Sequence, residues 1–215
     1  TAESPSARYP LHLNTGRLRD QWHGMSRTGL VARLYSHEAE PLLHMHKDDM
    51  ERRKLGDGDL VKVKSKRGSV VVKAQQSTTL RPGQCFLPMH WGGNAMGGLG
   101  INVLLPGNFD PYSKQPELKH AAVQVEKYSA GKSLVAMRRS EADADGKLQP
   151  NPHEVMARLR QWLPRFPYAS LTLAGRSAPV VVLKARGDDL APELIEALDR
   201  DLSLDARKGA LDNAV

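Results

Sequence analysis

Leu60-Val61-Lys62-Val63-Lys64, followed by the turn Lys66-Arg67-Gly68 and then Ser69-Val70-Val71-Val72-Lys73-Ala74, is the stretch that decides the fold class. Its first run alternates apolar and charged side chains, as a strand does when one face is buried and the other is wet. The second is a β-branched run of the kind strands favour. The short, glycine-ended turn between them makes the pair a hairpin. Working outward, Gln84-Cys85-Phe86-Leu87 and Ala121-Ala122-Val123-Gln124-Val125 are similar short runs set between Gly, Pro and Asp turns. From Tyr9 to about Lys127 the chain therefore reads as many short strands with turn punctuation, which predicts a barrel or a sandwich. One helix is expected around Lys47 to Lys54, ending near Gly56-Asp57-Gly58-Asp59.

Beyond this region the character changes. Ser140 to Gln149 is polar and non-periodic and reads as part of a linker, so the expected division is a β domain over 1–128, a linker over 129–150 and a small α+β extension over 151–215. Asn151 suits an N-cap, Pro152 the first helical position, and Glu154 would complete a capping box. Val155, Leu159, Trp162 and Leu163 then make an apolar face, read as core packing. Ala169 to Leu173 and Val180 to Lys184 read as two strands around a Gly175 turn, and Leu190, Leu194, Ile195 and Leu198 recur at helical spacing. The ending, Asp205 to Val215, reads as truncated or terminal.

Composition narrows the function. The chain has 215 residues, 40% hydrophobic and 26% charged, ordinary values for a globular protein. No apolar run approaches the ~20 residues a membrane span needs. The start, Thr1-Ala2-Glu3-Ser4-Pro5, lacks the pattern of a signal peptide and reads as a cut inside a longer chain. A single cysteine, Cys85, forbids an internal disulfide and an all-cysteine cluster; it reads as a core residue, and its solitude fits a reducing, cytoplasmic compartment. The net charge of +7 admits nucleic acid, an anionic small molecule or an acidic protein surface. Aromatic residues are only 5%, few for a base-stacking platform, so a phosphate-bearing cofactor or a polar partner surface is favoured over nucleic acid. The basic clusters Arg52-Arg53-Lys54 and Lys62 to Arg67 read first as solvated faces. His44-x-His46 reads as a surface pair, for want of a third metal ligand.

Three stretches carry chemistry. In the first, a short apolar strand runs into Thr15-Gly16-Arg17, where a glycine lets the backbone approach an anion and an arginine offers a bidentate fork for phosphate. Gln21, His23, Ser26 and Thr28 then supply polar side chains, and Trp22 a flat face for a heterocycle. The same residues would equally serve an ordinary polar surface loop. The second stretch, Pro88-Met89-His90-Trp91, runs into a glycine-rich segment (Gly92, Gly93, Gly97, Gly98, Gly100) that suits a flexible lid or a phosphate loop, although it matches no phosphate fingerprint. The third, Asp110-Pro-Tyr-Ser-Lys-Gln-Pro-Glu-Leu-Lys119, is a Pro-punctuated polar loop leading into the last strand of the region.

In this order and spacing the three stretches resemble the C-terminal domain of the molybdopterin oxidoreductases, the dimethyl-sulfoxide-reductase superfamily, and most of all bacterial assimilatory nitrate reductases. The resemblance rests on Leu13 to His23, Ser26 to Gly29, Gly58 to Val61, Phe86 to Trp91 and Asn102 to Lys119, and spans roughly residues 9 to 127. Gly24 stands where Thr is common, and Leu104-Leu105-Pro106 where Leu-Thr is common. The resemblance implies a six-stranded double-psi β-barrel binding a molybdopterin guanine dinucleotide, with molybdenum as its metal. It places Thr15, Gly16 and Arg17 on the dinucleotide-contacting turn. Gln21, Trp22, His23, Met25 and Ser26 fall on the segment against the pterin, His90 and Trp91 near it, and Asn102 and Lys119 at the far end of the domain. No catalytic residue and no metal ligand is expected in this chain. Nitrate as substrate, an electron-donor protein, an iron–sulfur cluster and the upstream domains would belong to the intact enzyme. A formate dehydrogenase domain and a non-catalytic basic interaction module are the competing readings.

Overall fold

A computed structural model describes residues 3–175 and 178–202; the chain end read above as truncated lies outside the described residues. The chain divides into two compact units. The first comprises residues 1–18, 41–92 and 99–129, the second residues 19–40, 93–98 and 130–215.

The first unit is a closed barrel of β1 (Leu11–Gly16), β2 (Leu42–His46), β3 (Leu60–Lys64), β4 (Ser69–Ser77), β5 (Gln84–Pro88) and β6 (Ala121–Lys127), in the order β1-β5-β2-β4-β3-β6. Two neighbouring pairs, β1 with β5 and β2 with β4, are parallel; the others are antiparallel. The alternation seen in the sequence becomes inside and outside. Val61 and Val63 are fully buried, as are Leu13, Leu43, Met45, Val72, Cys85, Leu87 and Val123, while Lys62 and Lys64 stay on the outer face. Truncating one of the larger of these side chains to alanine would cost about 2–5 kcal/mol. The predicted hairpin forms, closed by Ser65 N–H donating to Gly68 O at 2.9 Å. The expected helix is α1 (Lys47–Glu51), capped by His46, whose Nδ1 accepts from Asp48 N–H at 3.2 Å.

The second unit is built on an antiparallel sheet of β7 (Lys132–Arg139), β10 (Tyr168–Ala174) and β11 (Val180–Gly187), in the order β10-β11-β7, with a small two-stranded pair, β8 (Glu141–Ala142) and β9 (Leu148–Gln149). Two helices, α2 (Pro152–Leu159) and α3 (Pro192–Leu202), complete it. The two strands and two helices expected from the sequence are present. Residues 129–150, read as linker, instead carry β7, β8 and β9. Along β7, an edge strand, only Ala136 is buried, with Leu134 and Arg138 half-buried on the same side. Asn151 caps α2 by accepting from His153 N–H at 3.0 Å, one residue earlier than the capping box implied. Trp162 is buried as expected, and its indole N–H donates to Asp201 Oδ2 at 2.7 Å. Ile195 departs from the expected apolar face, standing 41% exposed.

Candidate functional site

Strand direction assembles the site. β1 is parallel to β5, so Thr15-Gly16 and Leu87-Pro88 end side by side; β1 is antiparallel to β6, so the residues just before β6 come to the same end. Thr15 points into the barrel, and its hydroxyl donates to Leu118 O at 2.7 Å. One residue on, the Lys119 ammonium donates to Thr15 O. Met89 N–H donates to Gly16 O at 2.8 Å, and Leu18 N–H donates to Nε2 of the fully buried His90 at 2.8 Å. The Thr15-Gly16-Arg17 turn is thus gripped from β5 on one side and from the Lys119 segment on the other. The Phe86 ring packs over Gly16: a Cβ there would sit 2.7 Å from it, and the ring would have to shift. Arg17 and Lys119 are both exposed, which leaves two cations at one barrel end.

The loop that delivers Lys119 is held by its own motif. Asp110 Oδ1 accepts from Ser113 N–H at 2.7 Å, Tyr112 N–H at 3.0 Å and the Ser113 hydroxyl at 3.0 Å. The Ser113 backbone N–H, followed by its hydroxyl, keeps the Asp110 carboxyl below the ordinary aspartate range. Backbone bonds from Asp110 N–H to Gln115 O and from Glu117 N–H to Asn108 O, at 2.8 and 2.9 Å, close the loop's neck. Nearby, Arg67 forks onto Glu3, with Nη2 2.8 Å and Nη1 3.2 Å from the carboxylate, and also donates to Leu104 O. Ala122 N–H donates to the same carboxylate at 2.8 Å. Arg67 is the main reason the Glu3 carboxyl is held below its ordinary value.

The rest of the opening motif belongs to the second unit. Gln21 is buried, its Nε2 donating to Leu34 O at 2.8 Å. Trp22 is 53% exposed, its ring edge-on to that of the exposed His23 with centroids 4.5 Å apart. Trp22 N–H donates to Thr28 Oγ1 at 3.2 Å. His23 and Met25 have φ of 43° and 61°, left-handed values that side-chain-bearing residues adopt rarely. Met25 is buried against Gly29, where the Tyr35 hydroxyl donates to the carbonyl oxygen at 3.2 Å; burial pushes the Tyr35 phenol up to about 12, so it stays a neutral donor. Ser26 is exposed.

Of the residues singled out from sequence, the barrel unit brings together Thr15, Gly16, Arg17, His90 and Lys119. Trp91, fully buried, accepts from Ile101 N–H at 3.1 Å through its carbonyl, which ties the exposed Asn102 to the chain after β5. Gln21, Trp22, His23, Met25 and Ser26 form a separate, self-braced segment, in which Gln21 and Met25 act by holding the turn rather than by facing outward. The glycine-rich run is neither lid nor phosphate loop along residues 95–97. Leu171 N–H donates to Ala95 O and Gly97 N–H to Ala169 O, both at 2.9 Å, fixing the run against β10. Phe86 and Leu118 lie within the motifs quoted from the sequence but were not among its candidate site residues. The outward position of Phe86 on β5, paired in register with Asn14, is a tertiary fact with no local signature. Cys85 is fully buried, and burial pushes its thiol up to about 12. No cluster of three or more His, Cys, Asp or Glu suited to a metal occurs among the described residues.

Residues 11–122, a little more than half of the chain, match the model of the family described as "Molydopterin dinucleotide binding domain". The chain belongs to that family. In this molybdopterin dinucleotide-binding domain the matched segment includes β1 to β5 whole and the first two residues of β6. A nitrate reductase of Klebsiella oxytoca is 43% identical over 125 residues, covering 58% of this chain and 14% of its own length. A nitrate reductase of Symbiobacterium thermophilum is 38% identical over 128 residues, covering 59% and 17%. An F420-dependent formate dehydrogenase subunit alpha of Methanocaldococcus jannaschii is 35% identical over 126 residues, covering 59% and 18%. The chain thus spans less than a fifth of the length of these relatives.

Proposed function

We propose that this chain is the cofactor-binding portion of a molybdenum-dependent nitrate reductase, and that its barrel holds a molybdopterin guanine dinucleotide for reduction of nitrate to nitrite. The junction of Thr15 with Leu118 and Lys119 carries this reading, because it unites two motifs more than a hundred residues apart in sequence at one end of one barrel. The residues present fit such a group: two exposed cations, Arg17 and Lys119, stand together at the turn where the barrel strands end.

Each side chain then has a definite task. Arg17 and Lys119 offset phosphate charge, Arg17 with its planar fork and Lys119 as a point charge. Thr15 and His90 hold the turn between them from inside. Asn102 adds a polar contact from the segment that Trp91 anchors. From the resemblance, Trp22, His23 and Ser26 are proposed as a further cofactor-contacting set carried by the other unit, with Gln21 and Met25 as its internal supports. The bound cofactor supplies the two-electron chemistry at its metal, while the protein contributes binding and orientation.

Calorimetric titration of the chain with molybdopterin guanine dinucleotide tests the binding. Saturable binding is expected, weakened about tenfold or more in Arg17→Ala and in Lys119→Ala, as loss of a charge-assisted phosphate contact requires. Parent and variants that titrate alike would sink the proposed site. The 35% identity to a formate dehydrogenase subunit favours a second reading. A parent enzyme that oxidises formate and leaves nitrate unreduced in a viologen-coupled assay would establish it.

A further inference from the structure

The two basic clusters of the sequence, Arg52-Arg53-Lys54 and Lys62 to Arg67, take no part in the Thr15–Lys119 junction, yet the barrel gathers most of their side chains around one short segment. Residues 7–10 lie beside Gln124 of β6, and a cavity opens on either side of it. The first, of about 450 Å³, is lined by Asp49, Arg52, Arg53 and Gln124 among others. The second, of about 400 Å³, is lined by Arg8, Lys62, Lys64, Lys66, Arg67 and again Gln124.

The charges around the two cavities do not cancel. Asp49 lies 3.7 Å from Arg52 and 3.6 Å from Arg53; Glu3 takes Arg67 at 2.8 Å and Lys66 at 3.8 Å; Glu126 pairs with Lys64. Seven cations therefore face three carboxylates. Arg8, over the Tyr9 ring at 5.6 Å, and Lys62 have no carboxylate partner among the described residues. Lys62 and Lys64 stand on the outer face of β3, beside Glu126 and Gln124 of β6.

We propose that this belt is a docking surface for a separate protein that presents a carboxylate-rich face. Its cations are strung across two open cavities instead of converging on one point, and several already hold a carboxylate. A small phosphate ligand needs convergent donors, whereas a folded acidic surface matches charges that are spread out. A single-stranded nucleic acid would need stacking faces, and of the residues lining the two cavities only Tyr9 is aromatic. The inference stands apart from the cofactor reading, since no belt residue belongs to the Thr15–Lys119 junction.

The test titrates the full chain with a glutamate-rich peptide, using inorganic phosphate and duplex DNA as competitors. Saturable binding is expected that weakens with added salt and falls about tenfold in the triple variant Arg8→Glu, Arg52→Glu, Lys62→Glu. A control triple with the same change of net charge on the other unit, Lys132→Glu, Lys147→Glu, Arg158→Glu, should leave it within about twofold, because these exposed side chains line neither cavity. Equal losses in the two triples would reduce the effect to bulk charge and overturn the proposal. So would displacement of the peptide by inorganic phosphate, or tighter binding of the DNA. Melting curves verify folding; should the reversal triple not fold, Arg8→Gln with Lys62→Gln reads the same surface, and unchanged peptide affinity there also overturns it.

Discussion

At the residue scale, Thr15, Asp110 and Lys119 show why short polar motifs recur at fixed order. Asp110 builds the loop turn, the loop presents Leu118 O and Lys119, and Thr15 meets both, its hydroxyl donating to Leu118 O and its carbonyl accepting from Lys119. The residue types were legible in the sequence; their mutual contact was not. Cys85 yields a direct prediction. With its thiol pushed up to about 12 by burial, it should resist a disulfide-exchange reagent at pH 8 in the native protein and react fully in denaturant. Rapid native labelling would show that β5 is not closed over it. Glu3 gives a pH prediction. Arg67 depresses its folded-state pKa, so its stabilisation is present above the unfolded value and is lost as pH falls through the folded one. Glu3→Gln should cost about 1–3 kcal/mol at pH 7. The gap from the parent in denaturant midpoint should shrink as pH is lowered below 4.5; a gap constant with pH would contradict it.

At the element scale, the β3–β4 hairpin and the capped start of α2 were readable because each rests on local rules: alternation, a glycine turn and an N-cap. Asn151→Ala should destabilise the second unit by about 1 kcal/mol, and Asn151→Gly by only a few tenths, measured by urea denaturation. Equal effects would mean that the side-chain cap is idle. β7 was not readable, since Leu134 to Met137 are apolar in a row, so its residue types do not alternate although their burial does. The glycine-rich run suited a lid or a phosphate loop in the sequence, and at residues 95–97 it packs against β10 instead, because glycine permits both motion and close packing. A Cβ at Gly97 would lie 2.8 Å from Phe166 O and 3.0 Å from Ala169 N, backbone atoms that have little freedom to yield. Gly97→Ala should therefore cost about 1–3 kcal/mol in the same assay. A neutral outcome would return the run to the status of a loop.

At the scale of the whole molecule, the +7 charge is a sum, and the barrel converts part of it into a local field. The chain should be retained by a cation exchanger at pH 7 and low salt and released as salt rises, whereas flow-through at low salt would mean that the excess charge is masked. The sequence by itself determined the strand-rich class, the closed set of motifs and the family, because these depend on residue type, period and order along the chain. Tertiary structure alone decided that Lys119 meets Thr15, that Phe86 lies under Gly16, and that two separate basic clusters share one surface around Gln124. The physical reason is strand pairing. Which residues meet across a barrel follows from strand order and register, and those are fixed by burying every strand's apolar face at once, a condition no local stretch of sequence contains.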